Sequence, residues 1–434
     1  MFQTYDEALT WIHARLRLGI KPGLKRMEWM MERLGNPERK AETIHIGGTN
    51  GKGSTVTFLR SILEAAGYTV GTFTSPYIES FNERISVNGI PIKDEEILEL
   101  ANRIKPLADE LDHSELGGPT EFEVITAMSF VYFAEVRPVD FAVYEVGLGG
   151  RFDSTNILTP LVSVITNVGL DHISILGDTY EEIAFEKAGI IKEGIPVITG
   201  TQHPEALKVI SEQAAAKRSA IYKLGEEILV SAHEKTRKGE KFTVSTPFGE
   251  LDNLEVSMIG IHQTANASLA VAAAQYLIED GRIRAGEPEI RKGLNEAFWP
   301  GRLEVVSENP VVILDGAHNT EGIESLATEL SSRFFDKKVH IVFAALKDKP
   351  LDSMIHRLEE VSDKMTFVSF DFPRAASASE LLAVSKSPKS REEYDWRTFL
   401  TREIKEIPDG WILVVTGSLY FISEARRYMM ENIL

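Results

Sequence analysis

The sequence predicts an α/β protein: a larger N-terminal domain with a mostly parallel sheet, and a smaller α/β domain at the C-terminus. Three observations carry this prediction. Short apolar runs rich in Val and Ile alternate with helix-period segments from residue 43 to about residue 200, as strands buried on both faces do. A glycine-rich stretch, "HIGGTNGKGSTV" (45–56), joins the first of these runs to a helix. The strand–helix rhythm stops near residue 224 and restarts after "NEAFWPGRLE" (295–304).

The elements follow in order. Thr4 and Glu7 in "TYDE" fit a capping box and predict a helix to about residue 16. "TIHI" (43–46) is the first strand. Val56, Leu59, Ile62, Leu63 and Ala66 recur at helical spacing, and Gly67 stops that helix. "TVGTFTS" (69–75), "DFAVYEV" (140–146), "LVSVITNV" (161–168) and "IPVITG" (195–200) are further strands, with helices at 95–104 and 180–190. "KFTVSTPFGELDNLEVSMIG" alternates about a Gly-containing turn and predicts antiparallel strands, and "QTANASLAVAAAQYLI" (263–278) is an alanine-rich helix. Beyond a joint at Pro300-Gly301, "VVILDGA" (311–317), "VHIVFAAL" (339–346), "MTFVSF" (365–370) and "WILVVTGS" (411–418) are the strands of a second domain of about 130 residues. "SASELLAVSKSPKS" (377–390) reads as a mobile surface segment.

The bulk properties narrow the function. The chain has 434 residues, 43% hydrophobic and 26% charged, enough for two domains with substantial cores. A net charge of −18 argues against a nucleic-acid partner. With no cysteine, disulfides, thiolate metal sites and cysteine nucleophiles are excluded. Asp6 and Glu7 come early and no run reaches the length of a membrane span, so a cytoplasmic protein with no membrane partner is expected.

The glycine-rich stretch has the features of a phosphate loop without strict Walker spacing: Ile46 stands where the first glycine would be, and Gly53 follows Lys52. Glycines let backbone amides turn inward, a helix N-terminus adds positive potential, Lys52 can neutralise phosphate, and Ser54 or Thr55 can meet phosphate or its metal.

"GTNGKGST" (48–55) resembles the nucleotide loop of the Mur ligase superfamily, and within it the folylpolyglutamate synthase/dihydrofolate synthase family. "FTSPYIESFNERISVNG" (73–89), "EVGLGGRFDSTN" (145–156), "ITNVGLDHISILGDT" (165–179), "IAFEKAGIIK" (183–192), "WPGRLE" (299–304), "LDGAHNTEG" (314–322), "ALKDKP" (345–350) and "VTGSLYFISE" (415–424) are similar to that family's blocks and come in its order. The resemblance implies a P-loop-type Mur ligase ATPase domain at 1–298 and a Rossmann-like ligase domain at 299–434. It implies a ligase of the bacterial bifunctional type. ATP phosphorylates a carboxylate of dihydropteroate or of a folate polyglutamate, L-glutamate attacks the acyl phosphate, and ADP and phosphate leave. Magnesium, with two ions expected, and a monomer are implied as well.

The resemblance also assigns residues. Thr49, Asn50, Gly51, Lys52, Gly53 and Ser54 hold ATP phosphates, joined by Asn266, Arg302, Asp315 and His318 on the nucleotide, so that closure about the joint would complete the site. Ser75, Glu145 and His172 are metal ligands, and Lys187 is a carbamylated lysine; Lys52, Glu145, His172 and Lys187 form the catalytic set. Gly23, Leu24 and Lys25, Thr120, and Phe152, Asp153 and Ser154 meet the pterin end. Read without the resemblance, a Ser-Pro is a turn, His172 a structural histidine, Lys187 a surface lysine paired with Glu186, and Asp315 and Asn319 loop caps. Among the metal candidates Glu145 has independent support, since a carboxylate at the end of a parallel strand faces the crevice where α/β sheets bind ligands.

Two other readings are weighed. A ligase of UDP-muramoyl substrates is compatible with the first loop, but "TSPYIESFNERI" and "EVGLGGRFDSTN" lean to the folate branch. A nucleotide-dependent switch is the other, and the chain has no N-K-x-D guanine motif.

Overall fold

The apolar runs of the first half become one eight-stranded sheet. In this computed structural model, which describes every residue except Ile20, its strands are β1 (Glu42–Gly47), β2 (Val70–Phe73), β3 (Ile85–Val87), β4 (Ile90–Pro91), β5 (Phe141–Glu145), β6 (Val162–Ile165), β7 (Val197–Thr199) and β8 (Ile221–Lys223). Their order is β4-β3-β2-β5-β1-β6-β7-β8. β1 lies between β5 and β6, parallel to both, and all three are buried along almost their whole length. The chain runs from β1 to β2, returns to fill the gap with β5, then crosses to the other side of β1. Strand order therefore reverses at β1, the place where open α/β sheets bind ligands at their carboxyl ends.

The far edge of this sheet is an antiparallel hairpin, β3 to β4, that the sequence reading passed over. Asn88 and Gly89 both take positive φ, 50° and 70°, the conformation of a two-residue turn matched to strand twist. A separate three-stranded antiparallel sheet, β9 (Leu229–Thr236), β10 (Gly239–Thr246) and β11 (Gly249–Val256), occupies the region where the sequence alternates, and adds one strand to those expected.

The chain divides into two compact units: Met1–His233 with Lys241–Val256 and Thr264–Ala297, and Phe298–Leu434 with Glu234–Glu240 and Ser257–Gln263. The second unit is built on β12 (Glu304–Glu308), β13 (Val311–Leu314), β14 (Lys338–Phe343), β15 (Lys364–Val368), β16 (Ser390–Glu393) and β17 (Trp411–Thr416), in the order β12-β13-β17-β14-β15-β16. Only β12 runs antiparallel to its neighbour. Segment 377–390 is no loose surface stretch. Ser377 and Glu380 form a capping box on helix Ala378–Val384, and β16 begins at Ser390. The S-x-x-E spacing of Ser377 and Glu380 is the local signal for this helix start.

Charge holds the short stretch Glu234–Glu240 in the second unit. Glu240 and Glu329 are fully buried, and the Arg333 guanidinium pairs with both while donating to Thr236 O at 2.6 Å. Lys235 adds a bond to Glu329 at 3.1 Å. Removing Arg333 leaves Glu240 without this buried cation. Arg333→Ala is expected to lower the urea midpoint by the equivalent of about 3 kcal/mol, because an uncompensated buried charge is the costly half of a broken pair. Among the described residues no helix is long and apolar enough to cross a membrane.

Candidate functional site

The site is assembled at the carboxyl ends of β1, β2, β5 and β6. β1 ends at Gly47, and helix Lys52–Ala65 starts five residues on, so residues 48–51 must reverse the chain tightly. Gly48 and Gly51 make this possible with φ of 142° and 83°. A side chain at Gly48 would collide with Thr166 Oγ1, and one at Gly51 with Asn266 Oδ1. Asn266 is buried and its amide lies against the loop. Gly51→Ala is therefore expected to cost about 1–2 kcal/mol for the left-handed backbone alone, before any displacement of Asn266, and thermal melting would register it.

Lys52 turns back over its own loop. Its ammonium donates to Gly48 O at 3.1 Å and Thr49 O at 3.2 Å and lies 4.0 Å from Glu145 Oε1. Glu145 sits opposite Ile46 in the β1–β5 ladder, which places its carboxylate beside the loop. The Glu145 side chain is only 6% exposed, and its Oε2 accepts from Ser75 N at 3.2 Å. Ser54 and Thr55 are buried in the first turn of the helix, with Thr55 Oγ1 donating to Gly51 O. Lys52, Ser75, Glu145 and Asn266 are thus gathered at one rim.

Lys187 belongs to the same electrostatic environment. It is buried in helix Tyr180–Ala188, and its amine is pulled down to about 7, first by burial and then by the Lys52 cation, with Asp171 opposing. Glu186 does not pair with it; that carboxylate faces Arg151 at 3.7 Å. His172 takes a left-handed φ of 54°, and its backbone N–H donates to Asp171 Oδ1 at 2.9 Å. Its ring is about half exposed, 4.0 Å from Asp171 Oδ2.

The loop after β5 carries Phe152, exposed, with the Arg151 guanidinium 4.7 Å above its ring. Asp153 is buried and committed. It accepts from Leu148 N at 2.9 Å, Thr155 N at 3.0 Å and Thr155 Oγ1 at 2.5 Å, bonds that oppose the upward push of burial on its carboxyl. Thr155 Oγ1 also meets His45 Nε2 at 2.8 Å, tying this loop to β1. Ser154 is buried beside it. Thr120 caps helix Glu121–Val131 in a capping box with Glu123. Glu123 in turn takes Arg26 Nε at 2.8 Å, which links the Gly23, Leu24, Lys25 turn to Thr120.

In the second unit Arg302, Asp315 and His318 come together. Both Asp315 oxygens accept backbone amides, from Leu303 and Ala317 at 2.9 Å each, and the Arg302 cation opposes the rise that burial imposes on this carboxyl. His318 Nδ1 meets Gly316 O at 2.8 Å, and Asn319 caps helix Thr320–Arg333.

For a metal, the first rim offers a carboxylate and a hydroxyl, Glu145 and Ser75. Hard oxygen donors few in number fit Mg2+, which keeps several waters. Among the described residues no group of three or more His, Asp or Glu is arranged as a cation cage. The sequence reading missed Thr166 and Asn167, which line the back of the loop; they stood inside a quoted block without being singled out.

Residues 46–274 match the family described as the Mur ligase middle domain, and residues 301–419 the Mur ligase glutamate ligase domain. Over 428 residues the chain is 51% identical to the dihydrofolate synthase/folylpolyglutamate synthase of Bacillus subtilis, covering 98% of this chain and 99% of that one. It superposes on Mycobacterium tuberculosis folylpolyglutamate synthase (FPGS), solved with ADP and AMPPCP, with a TM-score of 0.89 at 31% identity over 98% of each chain. An FPGS solved with AMPPCP and folate gives a TM-score of 0.87 at 35% identity, covering 99% of this chain and all (100%) of that one.

Proposed function

This chain belongs to the dihydrofolate synthase/folylpolyglutamate synthase family of Mur ligases, and on that premise we propose how its residues carry out ATP-dependent ligation. The enzyme is an ATP-dependent folate ligase. We read residues 1–298 as the ATP-binding domain and 299–434 as the ligase domain of a cytoplasmic monomer. The γ-phosphoryl group passes from ATP to a substrate carboxylate, and the amine of L-glutamate attacks the acyl carbon and expels phosphate. The carboxylate belongs to dihydropteroate, to a folate polyglutamate, or to both in turn.

The observation that carries the reading is Lys52 held over a glycine-rich turn at a helix N-terminus with Glu145 at 4.0 Å. Phosphoryl transfer depends on positioning and charge neutralisation more than on covalent help. Lys52 and the N–H groups of the first helical turn neutralise phosphate; residues 49–54 frame it. Ser75 and Glu145 would hold Mg2+, which when bound neutralises phosphate oxygens. His172 is assigned to a second ion by resemblance, imidazole being a less natural partner for Mg2+. Asn266, Arg302, Asp315 and His318 are assigned to the nucleotide on the same footing. Phe152 offers an open face for a pterin, while Asp153 and Thr120 support the loops around it.

Lys187 is the proposed site of carbamylation. Its depressed amine is largely neutral above about pH 7 and nucleophilic. The nitrogen lone pair attacks CO2, the amine loses a proton, and an anionic carbamate results. The Lys52 cation that disfavours the ammonium favours the carbamate.

The test is ADP release with ATP, Mg2+ and L-glutamate, comparing dihydropteroate, tetrahydrofolate and no pterin. Release with both pterins assigns a bifunctional enzyme, and release with one assigns that branch. No pterin-dependent release from an ATP-binding preparation would overturn the reading.

A further inference from the structure

We infer that Asn167 sets the shape of the phosphate loop and thereby places Lys52, a positioning role that rests on the ATP-dependent reading of this loop. An anion loop works by turning backbone N–H groups toward the ligand. Two N–H groups here point the other way. Thr49 N donates to Asn167 O and Oδ1, each at 3.1 Å, and Asn50 N donates to the same Oδ1 at 2.8 Å.

The consequence follows from peptide geometry. In a trans peptide the N–H and the preceding C=O point in opposite directions. Pinning Thr49 N–H on Asn167 aims Gly48 C=O at the opposite side, and pinning Asn50 N–H aims Thr49 C=O there as well. Those two carbonyls are the ones that accept from Lys52 Nζ, at 3.1 and 3.2 Å. Asn167 therefore orients both peptide units that hold Lys52, its carboxamide oxygen meeting both amides and its backbone carbonyl sharing that of Thr49.

The neighbours of Asn167 reinforce the template. Thr166 Oγ1 donates to Asn50 O at 2.6 Å and lies 3.2 Å from Gly47 O, and Gly169 N donates to Thr49 Oγ1 at 2.9 Å. Gly48 lets the loop approach Thr166 this closely. Two residues past Gly169 comes Asp171, one of the charges felt by Lys187. With the amides of Thr49 and Asn50 engaged, the N-terminus of the Lys52 helix is left to face the anion.

The experiment uses the full chain and compares wild type with Asn167→Leu, which removes the acceptor at similar volume, and Asn167→Asp, which keeps an acceptor oxygen. Asn167→Leu is expected to lower kcat/KM for ATP by about 100-fold and to weaken ADP binding, with adenosine binding and the KM for folate within about twofold of wild type. Asn167→Asp is expected to lie within about tenfold of wild type. An unchanged kcat/KM for ATP in Asn167→Leu overturns the inference. So does an equal loss for ADP, adenosine and folate, or an Asp variant as impaired as Leu. If Asn167→Leu fails to fold, Asn167→Ala is read in its place, and an unaltered kcat/KM for ATP there is equally fatal. A wild-type enzyme with no pterin-dependent ADP release would instead remove the functional reading beneath it.

Discussion

Lys52→Met is expected to lower kcat/KM for ATP by about 1,000-fold, because it deletes the cation proposed above to neutralise phosphate. The KM for the folate should stay near wild type, since Lys52 touches the loop and Glu145 and nothing assigned to the pterin. A second consequence distinguishes this substitution from a generic lesion. The Lys52 cation is one of the two influences that hold the Lys187 amine low. Without it, the Lys187 amine rises toward its ordinary value of 10.5 and carbamylation at neutral pH declines. Steady-state ADP release and intact-protein mass measured under CO2 would register the two effects separately. A loss of activity under about tenfold would contradict the role given to Lys52.

Lys187→Met is expected to divide activity from stability. Activity should fall by about 100-fold or more, since the carbamate proposed at this position could no longer form. The fold should become more stable. The native amine is depressed to about 7 while the unfolded one keeps its ordinary value of 10.5, so between these values the unfolded state binds the extra proton. That destabilisation is complete below about pH 7, shrinks as pH rises, and disappears above 10.5. The gain in Tm from Lys187→Met should therefore be largest at pH 7 and below, and absent near pH 11, with CO2 excluded from the buffers. In the wild-type enzyme, activity under limiting CO2 should rise with pH through about 7 and respond to added bicarbonate at the acidic end. A Tm gain that grows with pH would reverse the assignment, and activity indifferent to bicarbonate would count against the carbamate.

Much of the fold is legible where it is written locally. Thr4, Glu7 and Gly67 mark helix ends through caps and left-handed stops that need only neighbours in sequence. The run from "TIHI" to Ala65 reads as strand, loop and helix because burial on both faces and helical spacing each leave a periodic trace. Asn88-Gly89 at a hairpin turn and Ser377 with Glu380 at a helix cap are equally local signals.

The candidate site divides differently. Lys52, Ser75, Glu145 and Lys187 stand in quoted blocks, so family pattern reached them, and Glu145 also announced itself as a carboxylate ending a buried strand. Nothing in the chain order says that Lys187 would be buried near Lys52, or that Asp153 would turn inward to Thr155 and Leu148 while Phe152 stays open. The bonds from Thr49 and Asn50 to Asn167 Oδ1 span 118 and 117 residues, and they exist because β1 and β6 pair in parallel with Gly47 opposite Ile165. By itself the sequence determined the alternation of strands and helices, the glycine turn and the inventory of chemical groups, since each depends on neighbours within a few positions. Only the tertiary structure decided which groups face one another and which are stripped of water, because register across a sheet and burial at a rim are properties of elements packed together, and those set both the direction of a hydrogen bond and the charge of a lysine.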